Sequence, residues 1–310
     1  CPEPKVYKTF TFPRTVTAAE WSPDSKYLLV NLGYDHNNPE FKPDLKLIDV
    51  KSGEILFSRT CNGGDGLDVY LNAIGWLPDS KRFLTAGDNG TFTVWDVRGN
   101  ILREYVHAER KRVVFMKMIP GKDETILVTK GGDVESMALD ANMSTRPIDQ
   151  RTAFTGAISI SNDGAYLVLA SLADKDVCRP AQISLYDLKT MNFLRSFDAD
   201  TYDNDRNLVI PMIAGPNNEL VCAGSESGKI HIWDLETGEL IQVLEEHSRH
   251  TGCLTAHPKY PGMIVSCSDD NCIIIWATKS FQEERRFQDE NWLKLQSTIK
   301  LPTVEIKKGW

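Results

Sequence analysis

Three residues near the end of the chain, His247, Ser266 and Asp270, are the types that together activate a hydroxyl nucleophile, and Trp276 follows closely. A hydrolase needs an imidazole to take the serine proton and a carboxylate to orient that imidazole. The run Gly224-Ser-Glu-Ser-Gly228-Lys229-Ile230 invites two further chemistries. A nucleophile elbow needs serine at its centre, where Glu226 stands. A phosphate loop needs four residues between its glycines and Ser or Thr after the lysine; here there are three, then Ile230. Both readings fail. His247, His250, Cys253 and His257 lie close in sequence but straddle a turn and a strand instead of sharing one face, so no metal is expected. Asp65, Asp68, Asp203 and Asp205 read as solvated loop acids rather than a carboxylate pair. The expectation is no catalytic residue, no cofactor and no metal.

The elements that carry these residues recur. Short β-like runs end in an apolar-Asp pair at Ile48-Asp49, Trp95-Asp96, Leu139-Asp140, Tyr186-Asp187 and Trp233-Asp234, and a sixth ends at Trp276-Ala277. Successive offsets are 47, 44, 47, 47 and 43 residues (from 49, 96, 140, 187, 234 and 277). Each unit opens with a strand and a turn, such as Trp21-Ser-Pro-Asp24 or Trp76-Leu-Pro-Asp79. Second strands follow, including Tyr27–Asn31 and Arg82–Ala86, and then a tight turn such as Asp88-Asn89-Gly90. Pro, Asn, Asp and Gly sit there because they fix or permit turn dihedrals. In the third strands Phe92 and Val94 alternate with Thr93 and Trp95, so both faces carry large side chains. Four short antiparallel strands cannot bury two apolar faces alone, whereas sheets stacked side by side can. The predicted fold is an all-β propeller with six blade-units, one domain over residues 5–280 and a C-terminal tail over 281–310.

Composition narrows the function. The formal charge is −8, against the basic excess of a duplex-binding surface. The local exception, His107-Ala-Glu-Arg110-Lys111-Arg112, reads as a solvated loop. No apolar run approaches the roughly 18 residues needed to span a bilayer. Seven cysteines without a Cys-x-x-Cys argue against a zinc ribbon or a redox dithiol. Cys222, Cys267 and Cys272 read as small buried hydrophobes in a reducing compartment.

The repeat resembles the WD-repeat family. That resemblance implies that His247, Ser266, Asp270 and Trp276 form a structural hydrogen-bonded tetrad instead of an active site. Other units depart from it: Asn89 fills the Asp position in the second and Ala223 the Ser position in the fifth. More narrowly, the stretches Trp76–Gly87, Val97–Leu102, Ile158–Gly164, Ser184–Leu188 and Cys253–Trp276, with a weak third unit, resemble the WD-repeat subunit of the glucose-induced-degradation (GID, or CTLH) ubiquitin ligase. The resemblance implies oligomerisation through an N-terminal helical LisH–CTLH module and seven blades, so that Lys5–Phe12 reads either as the outer strand of a missing blade or as a closing strand for the last one; the cysteine pattern suits the cytoplasm or nucleus. The resemblance also implies a non-catalytic scaffold that binds other ligase subunits and substrate proteins, acting on gluconeogenic enzymes in fungi. The alternative is an unrelated WD-repeat adaptor in a chromatin or RNA-processing complex. In either case partners dock on the connections before first strands and after second strands. The repeat register places Tyr70, Arg110, Arg112, Asp176, Arg206 and His250 there, each with a side chain able to anchor a partner.

Overall fold

The computed structural model describes residues 8–12, 15–33, 44–60, 71–87, 89–107, 109, 111–140, 142–149, 155–173, 180–205, 207, 209–215, 217–256, 263–277 and 299–300. Among them there is no helix, and six four-stranded antiparallel sheets follow one another along the chain. The first sheet is β1 (Val16–Trp21), β2 (Tyr27–Leu32), β3 (Asp44–Asp49) and β4 (Ile55–Thr60). The second is β5 (Leu71–Trp76), β6 (Arg82–Gly87), β7 (Thr91–Asp96) and β8 (Ile101–Val106). The third is β9 (Val113–Met118), β10 (Glu124–Thr129), β11 (Val134–Ala138) and β12 (Thr145–Asp149). The fourth is β13 (Thr155–Ile160), β14 (Tyr166–Ser171), β15 (Gln182–Asp187) and β16 (Asn192–Phe197). The fifth is β17 (Met212–Ala214), β18 (Leu220–Gly224), β19 (Ile230–Asp234) and β20 (Leu240–Leu244). The sixth is β21 (Thr251–Ala256), β22 (Met263–Ser268), β23 (Cys272–Ala277) and β24 (Ile299–Lys300). Sheets one to three lie in one compact unit, Pro4–Thr152, and sheets four to six in another, Ala153–Trp310 with Cys1–Glu3.

The period has a physical cause in the aspartate at or just after the end of the third strand in the first five sheets. Its carboxylate accepts from backbone N–H groups of the following turn: Ser52 for Asp49, Arg98 and Asn100 for Asp96, and Asn142 for Asp140. The pattern continues with Lys189 and Thr190 for Asp187 and Thr237 for Asp234. A short acceptor side chain closing its own turn is the local chemistry at which aspartate excels. Those N–H groups hold the Asp49, Asp140, Asp187 and Asp234 carboxyls below their ordinary range.

The second and fifth sheets are apolar on both sides. Leu29, Leu45 and Leu47 of the first sheet pack on Ile74, Trp76, Phe83 and Trp95 of the second. The opposite face of that second sheet, with Leu84, Phe92 and Val94, packs on Val113, Met116, Leu127 and Met137 of the third. Phe92 and Trp95 thus serve different neighbours, as the alternation predicts. The fifth sheet repeats the plan: Val221 and Trp233 meet Val168, Ile183, Leu185 and Phe197 of the fourth, while Cys222, Ile230 and Ile232 meet Leu254 and Ile264 of the sixth. Each fully buried aliphatic or aromatic side chain contributes roughly 1.5–3 kcal/mol, which no single sheet could collect by itself.

Three details differ from the sequence expectation. Residues 8–12 form no strand; Phe10 and Phe12 instead lie against Leu28, Val30, Leu32 and Ile48 of the first sheet. The fourth strand of the sixth sheet, β24, comes from the segment read as a tail, pairing Ile299 with Ile273 and Lys300 with Cys272. Cys222 is buried as expected, but Cys267 is exposed and Cys272 only half-buried. An apolar sequence neighbourhood does not say which face of a strand a cysteine takes.

Candidate functional site

The sixth sheet brings His247, Ser266, Asp270 and Trp276 together. His247 precedes β21, Ser266 lies in β22, Asp270 in the turn after it and Trp276 in β23. The Trp276 indole N–H donates to Ser266 Oγ at 2.9 Å. His247 Nε2 stands 2.7 Å from that same oxygen, and His247 Nδ1 stands 2.9 Å from Asp270 Oδ2. A proton on Nδ1 faces the carboxylate and leaves Nε2 to accept from the serine hydroxyl. Burial alone would raise the Asp270 carboxyl, but hydrogen bonds from His247 and from the Ser248 and Cys272 N–H groups outweigh it and hold the group to about 2.

These distances match those of an acyl-transfer relay, so access decides between the readings. Ser266 and the His247 ring are both 0% exposed. A nucleophile must meet its substrate, and this hydroxyl is sealed and already accepts from an indole. What the network does hold is the end of the sheet, where the first strand begins and the second finishes. Gly224 closes that end against its neighbour: a Cβ there would sit 2.0 Å from the Thr251 carbonyl oxygen. The Thr251 N–H in turn donates to Ser225 O. At Gly228, with φ +91°, a Cβ would sit 2.5 Å from the His247 carbonyl oxygen. The glycines that mimic phosphate-loop spacing are therefore places of tight backbone approach.

Two polar arrangements at the corresponding ends of other sheets were missed from sequence. In the second sheet the Trp95 indole N–H donates to Thr85 Oγ1 at 2.9 Å. Thr85 precedes Trp95 by ten residues, as Ser266 precedes Trp276, and that spacing is the signal that could have found it. In the third sheet His107 Nε2 stands 3.2 Å from Glu135 Oε2, and both residues are buried. Lys111 Nζ joins Glu109, Asp133 and Glu135 at 2.9, 3.0 and 3.4 Å. The hydrogen bonds with Glu109 and Asp133 push its ammonium above the ordinary lysine range. Hence Lys111 does not present a bare cation in the loop 107–112; three carboxylates surround it.

Of the anchors chosen from sequence, Arg112 is exposed immediately before β9. His250 lies immediately before β21, its side chain 16% exposed and Nδ1 3.4 Å from Asp269 Oδ2. Arg112 belongs to the third sheet and His250 to the sixth. Tyr70, Arg110, Asp176 and Arg206 lie outside the described residues.

Comparison with known proteins agrees with this architecture. The WD domain, G-beta repeat family pattern matches residues 58–96, from the fourth strand of the first sheet to the third strand of the second, and residues 238–277, from just before the fourth strand of the fifth sheet to the third strand of the sixth. A WD repeat-containing protein WDS homolog of Arabidopsis thaliana is 26% identical over 263 residues, 84% of this chain and 46% of that protein. A WD repeat-containing protein 26 homolog of Drosophila melanogaster is 24% identical over 86% of this chain and 39% of its own length. GID complex subunit 7 of Schizosaccharomyces pombe is 27% identical over 66% of this chain and 39% of its own length. The chain thus spans less than half the length of these curated relatives. Six antiparallel four-stranded sheets with matched WD repeats give it the fold of a WD-repeat β-propeller, similar in sequence to proteins that include a GID complex subunit.

Proposed function

We propose that this chain is the interaction scaffold of a ubiquitin-ligase assembly of the GID/CTLH type. In that role it joins ligase subunits and helps recruit substrate proteins, among them metabolic enzymes marked for degradation in the cytoplasm and nucleus. Ubiquitin transfer belongs to RING subunits, and this chain supplies no catalytic group. The observation that carries the reading is the similarity to GID complex subunit 7 and to two further WD-repeat proteins. The sealed Ser266 supports the non-catalytic part. Partners dock at the sheet ends where first strands begin, with Arg112 and His250 among the anchors and Tyr70, Arg110, Asp176 and Arg206 the other candidates.

The test is mass spectrometry of proteins that co-purify with this protein from its own cells. Recovery of RING and LisH–CTLH subunits in stoichiometric amounts is the expected result. Recovery of spliceosomal or histone-modifying subunits instead would reject the ligase reading and favour a WD-repeat adaptor of another assembly.

A further inference from the structure

Cys253 in β21 and Cys267 in β22 are directly opposite one another in the strand register, between the bulge at Thr251/Cys253 and the pair Leu254–Ser266. Both are thiols and both are exposed. Opposite residues of an antiparallel pair send their side chains to the same face, with Cα atoms about 4.5–5.5 Å apart. That separation lies inside the roughly 4.4–6.8 Å span that a disulfide bridges without backbone movement. The thirteen residues between the two positions hide the pair from any search for Cys-x-x-Cys, which is why the sequence argued against a redox dithiol.

The other described cysteines differ. Cys222 is fully buried, and burial pushes its thiol up to about 12, so it is inert. Cys272 is half-buried, with its Sγ directed to the Asp270 carbonyl oxygen.

We infer that Cys253 and Cys267 form a cross-strand dithiol that is a site of reversible oxidative modification at the partner-facing end of the sixth sheet. With a peroxide as oxidant, one thiolate attacks the peroxide oxygen to give a sulfenic acid and water. The second thiolate then attacks that sulfur, forming the S–S bond and releasing a second water. Overall two thiols lose two hydrogens and two electrons, and the peroxide is reduced to two waters. Placement supplies the selectivity: the resolving thiol is held opposite the first, so closure within the chain outruns capture by a second molecule. Cys267 is next in sequence to Ser266, so the bond fastens the strand that carries the hub of the buried network.

The experiment uses the 310-residue chain in its reduced form. Phenylarsine oxide, which bridges two adjacent thiols, probes the pair; hydrogen peroxide at low excess then oxidises it, with peptide mapping by mass spectrometry. The expected results are one arsenical per chain and a Cys253–Cys267 linked peptide two hydrogens lighter. Dithiothreitol should reverse the link, and C253S and C267S should each abolish both signals. C222S, at the buried thiol, should leave both unchanged. Arsenical binding that survives C267S, a link routed through another cysteine, or oxidation only to sulfinic acid or intermolecular dimers would overturn the inference. The ligase reading stands or falls separately, because nothing in this test depends on a partner.

Discussion

The fifth and sixth sheets adjoin in one unit and share a strand plan, yet they solve the same problem in different ways. Each carries a third-strand tryptophan whose indole N–H must be paired once buried. In the sixth sheet Trp276 gives its proton to Ser266, the hub of the His247–Asp270 network. In the fifth sheet Ala223 occupies the hub position, and the Trp233 N–H donates instead to the Asp198 carbonyl at 3.1 Å. Tyr202, from the loop after Asp198, lays its ring edge-on against both Trp233 and His231. His231 stacks on Trp233 and bonds Thr201 through Nε2 at 2.9 Å, and burial lowers its basicity. One sheet is therefore held by a side-chain relay, the other by aromatic packing and a backbone carbonyl. Packing and a polar network are interchangeable supports for the same tryptophan.

That contrast can be broken or sharpened by substitution. The largest effect should come from the sheet that depends on packing. Trp233→Ala, at a fully buried ring, should cost about 3–5 kcal/mol in urea unfolding. Trp276→Ala, at a half-buried ring, should cost only about 1–3 kcal/mol. Equal losses would mean that the two sheets do not differ as described. Next in size is the hub. Ser266→Ala leaves the Trp276 N–H and His247 Nε2 without their shared partner and should cost roughly 2–3 kcal/mol. The reciprocal Ala223→Ser should gain nothing and lose about 1 kcal/mol, because the Trp233 proton is already committed to Asp198 and the new hydroxyl is buried. Stabilisation by Ala223→Ser would show that the fifth sheet is an incomplete copy of the sixth.

The smallest effect is one of pH. The Asp270 carboxyl is lowered in the folded state from 3.8 to about 2. Stabilisation by this group is then complete above the unfolded value and drains away as pH falls through the folded one. The stability gap between the native chain and Asp270→Asn, followed by thermal melting, should narrow as pH drops from about 5 toward 2. A gap that widens on acidification would contradict the hydrogen-bonded carboxylate.

The repeat was legible because its markers act locally. A turn aspartate bonds N–H groups two to four residues away, so spacing alone exposes it. The His247 tetrad was legible through resemblance to the WD-repeat pattern. The His107–Glu135–Lys111 cluster was not, because its members lie 24 and 28 residues from Glu135 in a unit without the Trp-Asp marker. Tyr202 was hidden for a related reason: it comes from a long polar connection, where sequence gives no register. Cys253 and Cys267 became a pair only once strand register was known.

The claim on which the functional account rests is that partners bind at the sheet ends built from first-strand starts and second-strand finishes. Lysine cross-linking of the complex purified from its own cells tests this directly, since lysines stand at both ends. Lys130 stands after β10, and Lys111 and Lys229, both half-buried, stand at the same ends of their sheets. Lys26, Lys51, Lys81, Lys122 and Lys189 mark the opposite turns. The account predicts partner cross-links concentrated at Lys130 and Lys229. Cross-links confined to the opposite turns would contradict it.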